Sequence, residues 1–224
     1  MAISIDTVYQ KVLAFANKEQ RGYVTPQEYN LFADQAQKEI FEQYFYDLSQ
    51  FSKIHGENSE YVDITTNINE KLSIFEKEAT ITTNTIVATD LYRLGSVYSS
   101  SNIIVEEVQP DEIINLNLSP LTAPTANRPV YVRKTLTTIE THGIISASSC
   151  SYTRAPASPY FGYVVVGGKA MYDPGTTINF ELHKAEEPEL VYKILKFAGL
   201  SMRKDDLAKG GQGLESLQVQ QEKQ

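Results

Sequence analysis

Apolar residues recur at helical spacing at the start of the chain: Ile5, Val8, Tyr9, Val12, Leu13 and Ala16 follow a Ser4, Asp6 or Thr7 cap. Steps of three and four place them on one face of an α-helix. A second helix opens at Thr25-Pro26-Gln27-Glu28. Threonine at the N-cap, proline at the first helical position and a carboxylate three residues on make a capping box. From there Tyr29, Phe32, Ala33, Ala36, Ile40, Tyr44 and Phe51 form one apolar stripe at about 100° per residue. Phe41, Phe45, Tyr46 and Leu48 fall outside or at the margin of it, so the second half of this helix is apolar almost all round. That excess needs a second cover. A neighbouring subunit would supply it, and so would a larger helical core of the same chain. On the first of these readings Phe41, Tyr44, Phe45, Tyr46 and Leu48 are the subunit-contact candidates. A third helical series follows at Tyr61, Ile64, Ile68, Leu72 and Phe75, weakened by the Thr65-Thr66 pair.

The grain changes at Ala79-Thr80-Ile81-Thr82, where β-branched residues and tyrosines alternate with frequent Pro and Gly. Strands are predicted at 81–88, 91–98, 103–108, 130–134, 149–154, 163–166, 170–172 and 177–182. Val166-Gly167-Gly168-Lys169 is a tight hairpin turn, because both central glycines accept positive φ. Pro110-Asp111-Glu112 starts a short helix, and 119–129 with its three prolines is an extended loop. Helical spacing returns after Glu187-Pro188-Glu189 with Leu190, Val191, Ile194, Leu195 and Phe197, and Gly199 suits a C-cap. The polar, Gln-rich stretch beyond it is expected to fray alone and to order on a partner. The predicted class is α+β: a helical N-terminal part (1–78), a central antiparallel β-sandwich-like region (79–182) and a C-terminal helical arm (183–224), together expected to form one structural unit.

Charge narrows the partners. Twenty-eight acidic residues against 20 basic ones give a net charge of −8. Residues 1–78 hold thirteen acids and seven bases, so most of the excess sits there. Such a chain does not bind DNA by neutralising phosphates, which needs clustered Lys and Arg. It suits a surface past which DNA slides. The Met1-Ala2-Ile3-Ser4-Ile5-Asp6 start has no basic, then apolar, signal pattern, and no stretch approaches the roughly 20 apolar residues of a membrane span.

Candidate chemistry is sparse. His55, His142 and His183 are far apart with no paired-ligand spacing, so they are read as surface or loop residues and no metal or cofactor is expected. Cys150 is the single cysteine and reads as a buried or half-buried strand thiol, not a nucleophile. The segment Gly162 to Ala170 lacks the Lys-Ser/Thr ending of a phosphate loop and sits between strands, which rules that motif out. Adjacent Glu106 and Glu107 on a strand point to opposite faces and cannot act as a hydrolytic pair. No catalysis is expected. The β loops offer Tyr152, Tyr160 and Phe161 as an aromatic cluster, which keeps a glycan-binding module open as an alternative. A hydrolase is the enzymatic option.

Several stretches together resemble virion structural proteins of crAss-like and related short-tailed bacteriophages. They are 8–23, Thr25-Pro26-Gln27-Glu28-Tyr29-Asn30, 37–45, Leu91-Tyr92-Arg93-Leu94-Gly95, Ser119-Pro120-Leu121-Thr122-Ala123-Pro124, Arg128-Pro129-Val130-Tyr131-Val132-Arg133 and Gly162-Tyr163-Val164-Val165-Val166. The resemblance spans roughly residues 5–205. It implies a ring-forming head-to-tail connector or adaptor in the virion neck and tail, assembled in the host cytoplasm as a closed ring of twelve copies. The implied partners are further copies of the chain, the portal protein and an adjacent tail ring or tail proteins, with genomic DNA passing through without specific binding. It also makes the C-terminal segment a docking arm, with Leu200, Met202, Arg203, Leu207, Leu214 and Leu217 as its contact candidates.

Overall fold

A computed structural model describes residues 3–16, 24–51, 59–143, 149–201 and 205–222. Strands and helices are both abundant, and the fold class is α+β. The chain forms two compact units: Met1–Ile74 with Pro156–Gln224, and Phe75–Ala155. The expected boundaries therefore shift. The β unit begins before Ala79 and closes at Ala155, and residues 156–182 return to the helical unit.

The helical unit is built on α1 (Ile5–Ala16), α2 (Pro26–Phe51) and α3 (Ser59–Ser73). The capping box at the start of α2 forms as its residue types dictate. Thr25 N donates to Glu28 Oε2 at 3.1 Å, and Glu28 N donates back to Thr25 Oγ1 at 3.3 Å. Two of the four orphan amides of the helix start are thereby satisfied. Tyr9 and Tyr29 pack ring to ring at 4.7 Å, and Phe161 joins Tyr9 at 4.5 Å. Each buried phenol keeps a partner: Tyr29 Oη donates to Ile5 O at 3.1 Å and Tyr9 Oη to Val24 O at 3.3 Å. Burial, together with the nearby Tyr9 and Asp6, pushes the Tyr29 phenol well above its ordinary pKa.

The second crossing of this unit brings a two-stranded ribbon, β8 (Tyr163–Val166) and β9 (Lys169–Tyr172), then α5 (Glu187–Ser201) and α6 (Asp205–Glu222). Gly167 and Gly168 have φ of 60° and 79°, the two positive values that a type I′ hairpin demands. Gly199 lies inside α5 and does not cap it, since the helix runs on to Ser201. The C-terminal stretch, expected to fray, is the helix α6 packed against α5. A Cβ on Gly211 would lie 3.0 Å from Lys196 N and 3.2 Å from Tyr192 O, so glycine there permits the close approach of the two helices. Charge holds them as well: Glu215 accepts from Lys193 Nζ at 2.6 Å and from Lys196 Nζ at 3.1 Å.

Burial alone would raise the Glu215 pKa, but its bonds and charges with Lys193 and Lys196 outweigh burial and the net shift is downward. A lowered folded pKa gives stability that is complete above the unfolded value and is lost as pH falls through the folded one. Amides of α6 are therefore expected to lose hydrogen-exchange protection as pH drops below about 4, the ordinary glutamate range, while those of α1 keep theirs. Unchanged α6 protection down to pH 2.5 or so would show that the ion cluster does not hold this helix.

The β unit contains β1 (Glu76–Thr82), β2 (Thr85–Ile86), β3 (Leu91–Tyr98), β4 (Ile104–Glu107), β5 (Val130–Arg133), β6 (Ile139–His142) and β7 (Ser149–Arg154) in the order β2-β1-β7-β3-β4-β5-β6. All neighbours are antiparallel except β4 and β5, which are parallel and joined by the crossover helix α4 (Pro110–Asn117). The sheet then meets itself. Thr85 bridges Thr138, Ile86 N donates to Thr137 O at 2.8 Å, and Ile139 N donates to Asn84 O at 2.9 Å. The result is a small barrel where a β-sandwich-like region was expected, and these contacts cover the β2 and β6 edges where they meet. Its interior is filled by Ile81, Ile86, Leu91, Val97, Val105 and Ile139 together with Tyr131, Cys150 and Tyr152. Outside it, Ile113 and Leu116 of α4 pack on Val130 and Val132.

Candidate interaction surface

Helix α2 spends most of its aromatic surface inside its own unit. Phe41 is 2% exposed and Tyr44 is also buried, which corrects their reading as a free subunit face. Phe45 and Leu48 are half-buried, the Phe45 ring standing edge-on to Phe41 at 5.1 Å. Tyr46, at 62% exposure, is the one of the five that faces out fully. The cause is lateral cover. Both α3 and α5 contact α2, so the buried arc widens to about 140° at about 100° per residue. Phe41 falls within that arc, and Tyr46 points to the opposite side.

The C-terminal candidates divide in the same way. Leu214 and Leu217 are exposed on α6. Leu200 and Leu207 lie in α5 and α6, with side chains outside the described residues, and Met202 and Arg203 are outside them altogether. The aromatic cluster suggested for glycan does not exist as a surface: Tyr152 is inside the barrel and Phe161 is in the core of the helical unit, leaving Tyr160 exposed. Of the histidines, His55 is outside the described residues, His142 Nε2 lies 4.0 Å from Glu140, and His183 Nδ1 accepts from Ala185 N at 3.3 Å. Cys150 is buried, and that burial raises its thiol pKa, the opposite of what a nucleophile requires. Among the described residues no group of three or more His, Cys, Asp or Glu is placed to hold a metal. No helix among them is long and apolar enough to cross a membrane.

Buried hydroxyls of the barrel serve structure. Tyr131 Oη donates to Glu107 Oε2 at 3.1 Å, and burial, then the Glu107 charge, pushes its pKa up to about 12. Lys77 and Tyr152 both donate to Asp90 at 2.8 Å and hold its carboxyl below the ordinary range.

Two features of the helical unit stand out instead. The first is the β8–β9 ribbon, hydrogen-bonded beyond its strands by Asp173 N to Gly162 O at 2.9 Å and by the Tyr160–Ile178 bridge. Val164 pairs with Met171 on one face and Val165 with Ala170 on the other. Val164, Val165, Val166 and Met171 are each more than half exposed. A strand apolar on both faces is normally one covered on both faces. The run Tyr163-Val164-Val165-Val166, with no polar alternation, carries that signal in the sequence. The second feature is a cleft of about 380 Å³ between α2, α3 and the start of α5. Ile40, Ile64 and Ile68 line it with Glu70, Glu186 and Glu189. Glu186 is 1% exposed; its Oε1 lies 2.5 Å from Lys71 Nζ, close enough for an ion pair but poorly angled for a hydrogen bond, and its Oε2 receives none. The Lys71 ammonium also stands 5.7 Å over the Tyr44 ring. Compared with models of protein families and with curated proteins, the chain matches none.

Proposed function

We propose that this protein is a structural subunit of a multi-copy assembly, specifically a ring-forming head-to-tail connector or adaptor in the neck of a short-tailed bacteriophage. The observation that carries the assembly reading is the apolar ribbon. A two-stranded hairpin is marginal by itself in water, and contiguous exposed apolar side chains mark protein-interaction surfaces. Tyr46 on α2 and Leu214 and Leu217 on α6 are further exposed apolar residues of the unit. The phage connector reading rests on the resemblance of the segments quoted above. In that role further copies of the chain, the portal protein and an adjacent tail ring are the partners, and the acidic residues of the N-terminal third flank a DNA path without gripping it. The role is mechanical and requires no catalytic step.

Electron microscopy and mass photometry of the purified full chain test this. Closed rings are expected, in the free protein or on addition of the virion portal. A chain that stays monomeric at tens of micromolar and is absent from purified virions would sink the reading.

A further inference from the structure

We infer that the tip of the β8–β9 ribbon of one copy seats in the cleft between α2, α3 and α5 of the next copy; this rests on the assembly reading above. The two surfaces match in shape and chemistry. The ribbon is slender, apolar on both faces, and carries its cation, Lys169, directly after the Gly167-Gly168 turn. The cleft, at about 380 Å³, lies within the size range of sites that enclose small apolar groups. Its isoleucine walls offer cover for Val165 and Val166. Its charge suits the tip: of the lining carboxylates, Glu186 is paired with Lys71 and Glu189 with Lys193, and Glu70 is the exposed one that faces an incoming cation. Glu70 is exposed at the mouth, where an incoming ammonium meets it first. Deeper in, the buried Glu186 is already held by Lys71, so Glu70 is the ionic partner the cleft offers to the tip. A cleft with isoleucine walls and one exposed carboxylate at its mouth therefore suits an apolar segment bearing one cation, and this chain displays such a segment.

The geometry of assembly follows. Ribbon and cleft are different patches of one chain, so their contact is heterologous, with each copy donating a ribbon and receiving one. Contacts of this kind close into rings when the rotation between copies permits it, and run on as filaments when it does not. Charge complementarity fixes the register of such a contact more than it adds affinity.

Cysteine pairing and charge reversal test the contact in the full-length chain. Cys150 is buried in the barrel, so an added surface cysteine is the reactive one. K169C protein mixed with E70C protein under mild oxidation is expected to give a disulfide-linked dimer, and neither alone should do so to the same extent. K169E is expected to weaken self-association at least tenfold, and combining it with E70K in the partner should restore it. Circular dichroism matching the wild type would confirm that K169E still folds, as its exposed position at the start of β9 implies. If rings assemble, yet no K169C–E70C link forms and K169E behaves as wild type, the ribbon docks elsewhere; the inference falls and the assembly reading stands. If the wild-type chain neither self-associates nor cross-links, in the presence or absence of the portal, both fall together.

Discussion

Replacing Phe41 by serine is expected to destabilise the helical unit by about 3–5 kcal/mol, the cost of removing a buried aromatic side chain from a packed core. Tyr46→Ser, five residues along the same helix, is expected to change stability by less than about 0.5 kcal/mol. The two rings look equivalent in the sequence, since both fall outside or at the margin of the main stripe of α2. They differ in what lies beside the helix. Phe41 is 2% exposed and stacks edge-on with Phe45, whereas Tyr46 is 62% exposed. Denaturant unfolding, followed by hydrogen exchange in α2 so that the barrel does not mask the signal, separates the outcomes. Phe41→Ser protein with wild-type stability but defective assembly would mean that Phe41 faces a neighbour after all.

That contrast shows how far pattern reading reaches. Local chemistry was legible. The capping box at Thr25 and Glu28, the proline starts of α2 and α4, the stripe through Tyr29 and Ile40, and the Gly167-Gly168 turn each depend on residues within a few positions of one another. Long-range partnerships were not. The strand β6 at Ile139–His142 is four residues long, with Glu and Thr in it, and it is a strand because it pairs with β5 and reaches back to Asn84. Barrel closure depends on that same contact. The turn between β1 and β2 places Thr83 and Asn84 at φ of 50° and 64°, and a threonine gives no warning of a left-handed conformation. The docking of α6 hinges on Gly211 and Glu215, whose roles depend on Tyr192, Lys193 and Lys196 of α5. The interaction surface was half legible. The excess of apolar groups was visible, but on α2 it goes largely into the unit's own core, while Val164, Val165, Val166 and Met171 of the ribbon stay exposed.

Gln37 is the clearest case of a residue whose role is set by distant partners. It is fully buried on α2, where a polar side chain would be expected to face water. Its Nε2 donates to Ala157 O at 2.7 Å, and its Oε1 accepts from Glu181 N at 3.1 Å. Ala157 N in turn donates to Glu181 Oε2 at 2.8 Å, which closes a ring of three residues. The ring ties α2 to the point where the chain re-enters the helical unit and to the segment leading into α5. Gln37→Ala is expected to cost about 2–4 kcal/mol, part from the void and part from two main-chain groups left without partners. Gln37→Leu refills the volume but not the bonds, so it isolates the polar term, expected at about 1–3 kcal/mol. Water can reach the exposed Ala157, which holds that figure toward its lower end. Hydrogen exchange at Glu181 should rise in both variants while exchange in the barrel stays unchanged. If Gln37→Leu matches the wild type in stability and in exchange at Glu181, hydrophobic packing alone would account for this junction, and the buried glutamine would have no structural claim on the fold.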